Sequence, residues 1–131
     1  MIEHPFLKDR INQAKKNLNK IINAISIGDV EGFIKVVEEE AMTLHALMMS
    51  SEPPTILIKS ETLEVIELLK NFREKEKIPV CFTLDAGPNV HLLYPEKHRL
   101  KVIKFIEEKL IYYCQNNLFI NDKVGSGSKL L

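Results

Sequence analysis

Between residues 79 and 94 apolar and polar side chains alternate, whereas before residue 79 they recur at steps of three and four. Val80, Phe82 and Leu84 alternate with Cys81, Thr83 and Asp85, and a second run follows from Asn89 to Tyr94. A period of two belongs to a half-buried strand, and a period near 3.6 belongs to an amphipathic helix. A chain with one hairpin's worth of alternation among four helical stretches has few ways to bury its apolar side chains. Helices covering one face of a small antiparallel sheet, an α+β fold, satisfy that pattern.

The first helix is expected from Pro5, a residue tolerated at the first helical position. Ile11, Ala14, Leu18, Ile21, Ile22 and Ile25 form its stripe, and Gly28 suits its end. Asp29 is a good N-cap for a second helix, whose stripe is Phe33, Val36, Val37, Ala41, Leu44 and Leu47 or Met48. So short a connection predicts an antiparallel helix pair. Ser51-Glu52-Pro53-Pro54 ends the second helix. Thr55 to Ile58 reads as a stub of strand or a covering loop. Ser60 caps a third helix, with Leu63, Ile66, Leu69 and Phe72 as its stripe. The mixed charges of Arg73-Glu74-Lys75-Glu76-Lys77 read as a solvated helix end. A last helix is expected over about 96–114 on Leu100, Ile103, Ile106 and Leu110, and Leu118-Phe119-Ile120 leads into a third strand. Without that strand the hairpin alone is thin cover for four helices.

Composition narrows the function. The chain of 131 residues has room for one domain, residues 1–131. Eighteen Lys and Arg balance eighteen Asp and Glu, so neither a nucleic-acid groove nor a polybasic membrane patch is expected. No run approaches the length of a membrane span, and Met1-Ile2-Glu3-His4-Pro5 lacks the order of a signal peptide. Cys81 and Cys114 fit a reduced, cytoplasmic setting and read as small core residues rather than nucleophiles. Met42, Met48 and Met49 read as core filler. His4, His45 and His98 lack ligand-spaced partners, so no metal site is expected. Of five glycines, only Gly87 falls in an interior loop, whereas a phosphate cradle needs several close together.

A three-residue turn through Ala86-Gly87-Pro88 pairs Asp85 with Asn89, Thr83 with His91 and Cys81 with Leu93. On the other face Leu84 meets Val90, Phe82 meets Leu92 and Val80 meets Tyr94. That face is wholly apolar, while the first grows more polar towards the loop and gathers a carboxylate, an amide, a hydroxyl and an imidazole. Gly87 permits backbone angles other residues resist, and Pro88 restricts it. Asp and Asn around Gly-Pro are also ordinary turn formers that satisfy their own backbone, so spacing alone leaves a structural and a chemical reading open.

Phe82-Thr83-Leu84-Asp85-Ala86-Gly87-Pro88-Asn89 resembles the motif of diphosphomevalonate decarboxylases, a family of the GHMP kinase superfamily. The resemblance extends along nearly the whole chain. Glu40-Ala41-Met42-Thr43-Leu44-His45-Ala46-Leu47-Met48-Met49, followed by Pro53-Pro54-Thr55-Ile56-Leu57, is similar to the family's preceding segment. His4-Pro5-Phe6, with Arg10, Gln13, Ala14 and Asn17-Leu18, is similar to the bacterial form of the helix before it.

The resemblance implies a ferredoxin-like C-terminal lobe, beginning after the strand that opens this lobe in the family. It also implies an enzyme that converts mevalonate 5-diphosphate and ATP, with Mg2+, to isopentenyl diphosphate, CO2, ADP and phosphate. Asp85 takes the role of the catalytic carboxylate. Thr83, Ala86, Gly87, Pro88 and Asn89 shape and support its loop, His91 backs it, and His45 packs beneath it. Ser50 and Ser51 either cap a helix or line the pocket. The family's N-terminal ATP-binding lobe has no counterpart in these residues, so the chain alone is expected to bind ATP and Mg2+ weakly and to be inactive. A separately encoded N-terminal lobe or a homodimer are the expected partners, and a non-catalytic interaction module is the alternative. Phosphomevalonate decarboxylases stay open because the contacts to the 5-phosphate lie largely outside this chain.

Overall fold

The computed structural model describes residues 4–84, 87, 89–114 and 119–121. Three long helices come first: α1 (Leu7–Ile27), α2 (Val30–Met49) and α3 (Ser60–Glu76). The hairpin β1 (Cys81–Leu84) and β2 (Val90–Leu93) follows, and then α4 (Arg99–Phe105). The four-helix, two-strand α+β arrangement is the one the periodicities imply. Residues 119–121 are not in a strand; Leu118 and residues 122–131, into which the expected third strand runs, lie outside the described residues.

The α1–α2 corner follows the sequence closely. Gly28 closes α1 with a φ of 72°, the left-handed geometry glycine adopts without strain. Asp29 then caps α2, its carboxylate accepting from the Gly32 N–H at 3.0 Å. Ser50 and Ser51 end α2 by donating to the carbonyls of Ala46 and Met48 at 2.9 and 2.7 Å. Both hydroxyls cap the helix, and Ser50 also lines a cleft beside α1. Residues 55–58 form a covering loop, with Ile58 against the core.

The core lies between the hairpin and α3 and α4. Val80, just before β1, and Phe82 and Leu84 of β1 meet Ile66 and Leu69 from α3, Val102 and Phe105 from α4, and Ala41 from α2. Val90, Leu92 and Tyr94 pack on the same cluster. Phe72 and Phe105 stack with ring centroids 4.1 Å apart. Cys81 is also buried, and desolvation pushes its thiol up to about 12, fitting a core residue rather than a nucleophile.

Three stripes differ from the periodic reading. In α3 the N-cap is Lys59 rather than Ser60, with the Lys59 N–H donating to Thr62 Oγ1. Thr62, Ile66 and Leu69 are buried there, whereas Leu63 is exposed. The final helix is broken into a 3₁₀ turn at Glu96–His98, α4, a π turn at Ile106–Leu110 and a second 3₁₀ turn at Ile111–Tyr113. Of the expected stripe, Ile106 and Leu110 are buried and Ile103 packs against the core, but Val102 and Phe105 are buried in place of Leu100, which is 86% exposed. Met42 and Met49 are exposed, and only Met48 fills the core as expected of the three.

The largest departure is α1. Ile11, Leu18, Ile22 and Ile25 are 46, 59, 53 and 65% exposed, while Asn17 and Ala24 are buried. α1 meets α2 through polar contacts: Arg10 and Asn17 both bond Glu40, and Gln13 donates to Glu39 at 2.8 Å. The periodicity identified the helix correctly but pointed to the wrong side of it.

Candidate active site

The hairpin register agrees with the expectation at four pairs, while the expected pair Val80 and Tyr94 falls outside the two strands. Cys81 pairs with Leu93, Phe82 with Leu92, Thr83 with His91, and Leu84 with Val90. Thr83 and His91 therefore share a face, Thr83 half-buried and His91 exposed. A directly opposed pair brings Cβ atoms to about 4.5–5.5 Å, so a hydroxyl and an imidazole stand side by side at the loop end of the sheet. Gly87 is half-buried and Asn89 exposed. A Cβ at Gly87 would meet nothing within 4 Å, so crowding by the described neighbours is not the reason for glycine there. Asp85, Ala86 and Pro88, with the expected facing of Asp85 and Asn89, lie outside the described residues.

His45 is 1% exposed and belongs to the face of α2 that meets β1. Glu38 and Ala41 lie seven and four residues before it on that face, the spacing that aligns side chains along a helix. Ala41 packs with Phe82 and Leu84, and Glu38 bonds the β1 backbone.

His4 is held by two bonds. Its Nδ1 accepts from the Phe6 N–H at 3.0 Å, so Nε2 carries the proton and donates to Ser50 Oγ at 2.9 Å. With that tautomer the ring cannot act as a base toward Ser50. Among the described residues no group of three His, Cys, Asp or Glu side chains is arranged to hold a metal ion. The described residues therefore do not form a magnesium site. A cleft of about 650 Å³ between α1 and the end of α2 is lined by Phe6, Arg10, Gln13, Thr43, Ala46 and Ser50, among others, and excludes the hairpin. The candidate site is thus one open wall.

One pair escaped the sequence reading. Arg73 and Glu38 form a part-buried ion pair against β1, with Nη1 and Nη2 at 2.6 and 3.1 Å from the two carboxylate oxygens. This corrects the solvated-end reading of Arg73. Its spacing of seven from Ile66 was the available signal, since it puts Arg73 on the buried side of α3.

The described site is thus an antiparallel hairpin under helices, with Thr83 and His91 paired on one face and a buried histidine on α2. Residues 3–128 match the family model described as the mevalonate 5-diphosphate decarboxylase C-terminal domain, and the chain belongs to that family. A diphosphomevalonate decarboxylase of Ganoderma lucidum is 26% identical over 108 residues, covering 78% of this chain and 27% of the relative. The mevalonate diphosphate decarboxylase of Legionella pneumophila superposes with a TM-score of 0.75 at 29% identity, covering 81% of this chain and 34% of the other. The Enterococcus faecalis enzyme gives 0.75 at 26%, covering 81% and 33%. The chain therefore spans about a quarter to a third of the length of these relatives.

Proposed function

We propose that this chain is the C-terminal domain of an ATP-dependent decarboxylase acting on mevalonate 5-diphosphate, with residues 1–131 as that single domain. The observation that carries the reading is the register of the hairpin, which pairs Thr83 with His91 on the strands that flank Asp85 in the sequence. Support also comes from the Enterococcus faecalis relative, whose structure concerns mevalonate diphosphate-mediated ATP binding. A related structure holds MVAPP, AMPPCP and magnesium. In this reading ATP and Mg2+ are bound by the rest of the enzyme, in a cytoplasmic setting.

Asp85 is the catalytic residue. A tertiary alcohol is a crowded, weak nucleophile, so a fixed carboxylate that accepts its proton while the γ-phosphoryl group is transferred meets a chemical need. Departure of the phosphorylated oxygen then develops positive charge at carbon as CO2 leaves, and a nearby carboxylate favours that transition state. Gly87 and Pro88 give the loop its shape, with Ala86 between Asp85 and Gly87. Asn89 braces Asp85, Thr83 and His91 support the loop from the strands, and His45 packs behind it.

The test is a chimera in which residues 3–128 replace the C-terminal domain of the Legionella pneumophila relative. Substrate- and ATP-dependent release of CO2 is expected from the chimera and not from the purified chain. A soluble, folded chimera with no turnover would overturn the reading.

A further inference from the structure

We propose that Glu38 and Arg73 are positioning residues for the catalytic loop, acting by closing the free edge of β1 and fixing the strand that leads into it. The inference rests on the function proposed above and assigns roles to two residues outside the loop motif.

The geometry is that of a substitute strand. Among the described residues β1 has a strand, β2, on one side only. Its Phe82 N–H points away from β2 and reaches Glu38 Oε2 at 3.3 Å. Two residues earlier the Val80 carbonyl accepts from Arg73 Nη1 at 3.1 Å. One acceptor from α2 and one donor from α3 thus occupy groups that a neighbouring strand would otherwise bond. The bidentate Arg73–Glu38 pairing holds acceptor and donor in fixed relation, which a lysine could not do.

Stability alone is a weak reason for such a pair. Replacing a buried ion pair with apolar side chains is often neutral or favourable, whereas a bonded pair fixes register. Register matters here. A one-residue slip of β1 would carry Thr83 into the helix-covered face and Leu84 out of it. Asp85, joined to Leu84, is the next residue of the chain and follows wherever β1 is held. The pair also blunts an edge that would otherwise be open to pairing with other chains.

The experiment uses the 15N-labelled chain with Glu38→Ala, Glu38→Gln and, as a control, Asn17→Ala, which removes a hydrogen bond between α1 and α2 away from the sheet. Glu38→Ala is expected to speed exchange of the Phe82 amide more than tenfold and to move the amide signals of Gly87, Asn89 and His91. Glu38→Gln keeps one acceptor oxygen and should move the same signals part of the way. Asn17→Ala should leave them in place. Unmoved loop signals in Glu38→Ala, or equal movement in the control, would overturn the proposal. If Glu38→Ala does not fold, parent-like signals in Glu38→Gln decide against it. No substrate is needed, so a negative result leaves the Asp85 chemistry standing, and an inactive chimera leaves this result standing.

Discussion

Glu40 shows how one side chain can be pulled in two directions. Burial raises its pKa, but hydrogen bonds from Arg10 and Asn17, helped by the Arg10 charge, together outweigh burial and lower it below 4.5. A depressed carboxylate contributes stability above its unfolded value and loses it as pH falls through the folded value. The stability advantage of the parent over Glu40→Gln should therefore be present at pH 7 and shrink as pH falls below 4.5 in urea titrations. An advantage constant across that range would contradict the pairing. Cys81 gives the complementary case: a thiol raised to about 12 is protonated at pH 8. In the native chain iodoacetamide should modify Cys114 well before Cys81, and unfolding should equalise them.

At the scale of elements, α1 turns an expectation around. Its apolar spacing predicted a core stripe, yet Ile11, Leu18, Ile22 and Ile25 stand exposed, and Arg10, Gln13 and Asn17 make the joint with α2. Periodicity locates a helix and its apolar side, but it does not say which side the neighbouring helix takes. The glutamates of α2 decided that, because Glu39 and Glu40 need partners once brought beside another helix. Leu18→Gln should change stability by less than about 0.5 kcal/mol in denaturant unfolding, the usual range for a surface site. Asn17→Ala should cost roughly 1–2 kcal/mol, as expected for a lost hydrogen bond to a charged group. The reverse order would show that α1 docks by its apolar face. The hairpin was legible for the opposite reason: a short turn fixes register, and alternation fixes faces, so Thr83 and His91 could be paired from spacing alone. Arg73 was not, since its partner Glu38 lies 35 residues away on another helix. The unwinding after Phe105 leaves no signal in the spacing either, because Ile106 and Leu110 stay buried through the π turn.

The molecule as a whole is a frame for one end of a hairpin. α3 and α4 fill the covered face, α2 sets His45 and Glu38 against β1, and the opposite face is left open towards the loop. Under the proposed function this open face is one wall of the site, and the rest of the enzyme is proposed to supply the phosphate-binding wall. The central claim is that Asp85 enables phosphoryl transfer to the substrate hydroxyl, on which decarboxylation depends. The direct measurement counts ADP and CO2 formed by the Legionella chimera with and without Asp85→Asn. Both products should fall together by at least about 100-fold, the scale of losing a positioned general base. Undiminished release of ADP and CO2 by the asparagine variant would contradict the account.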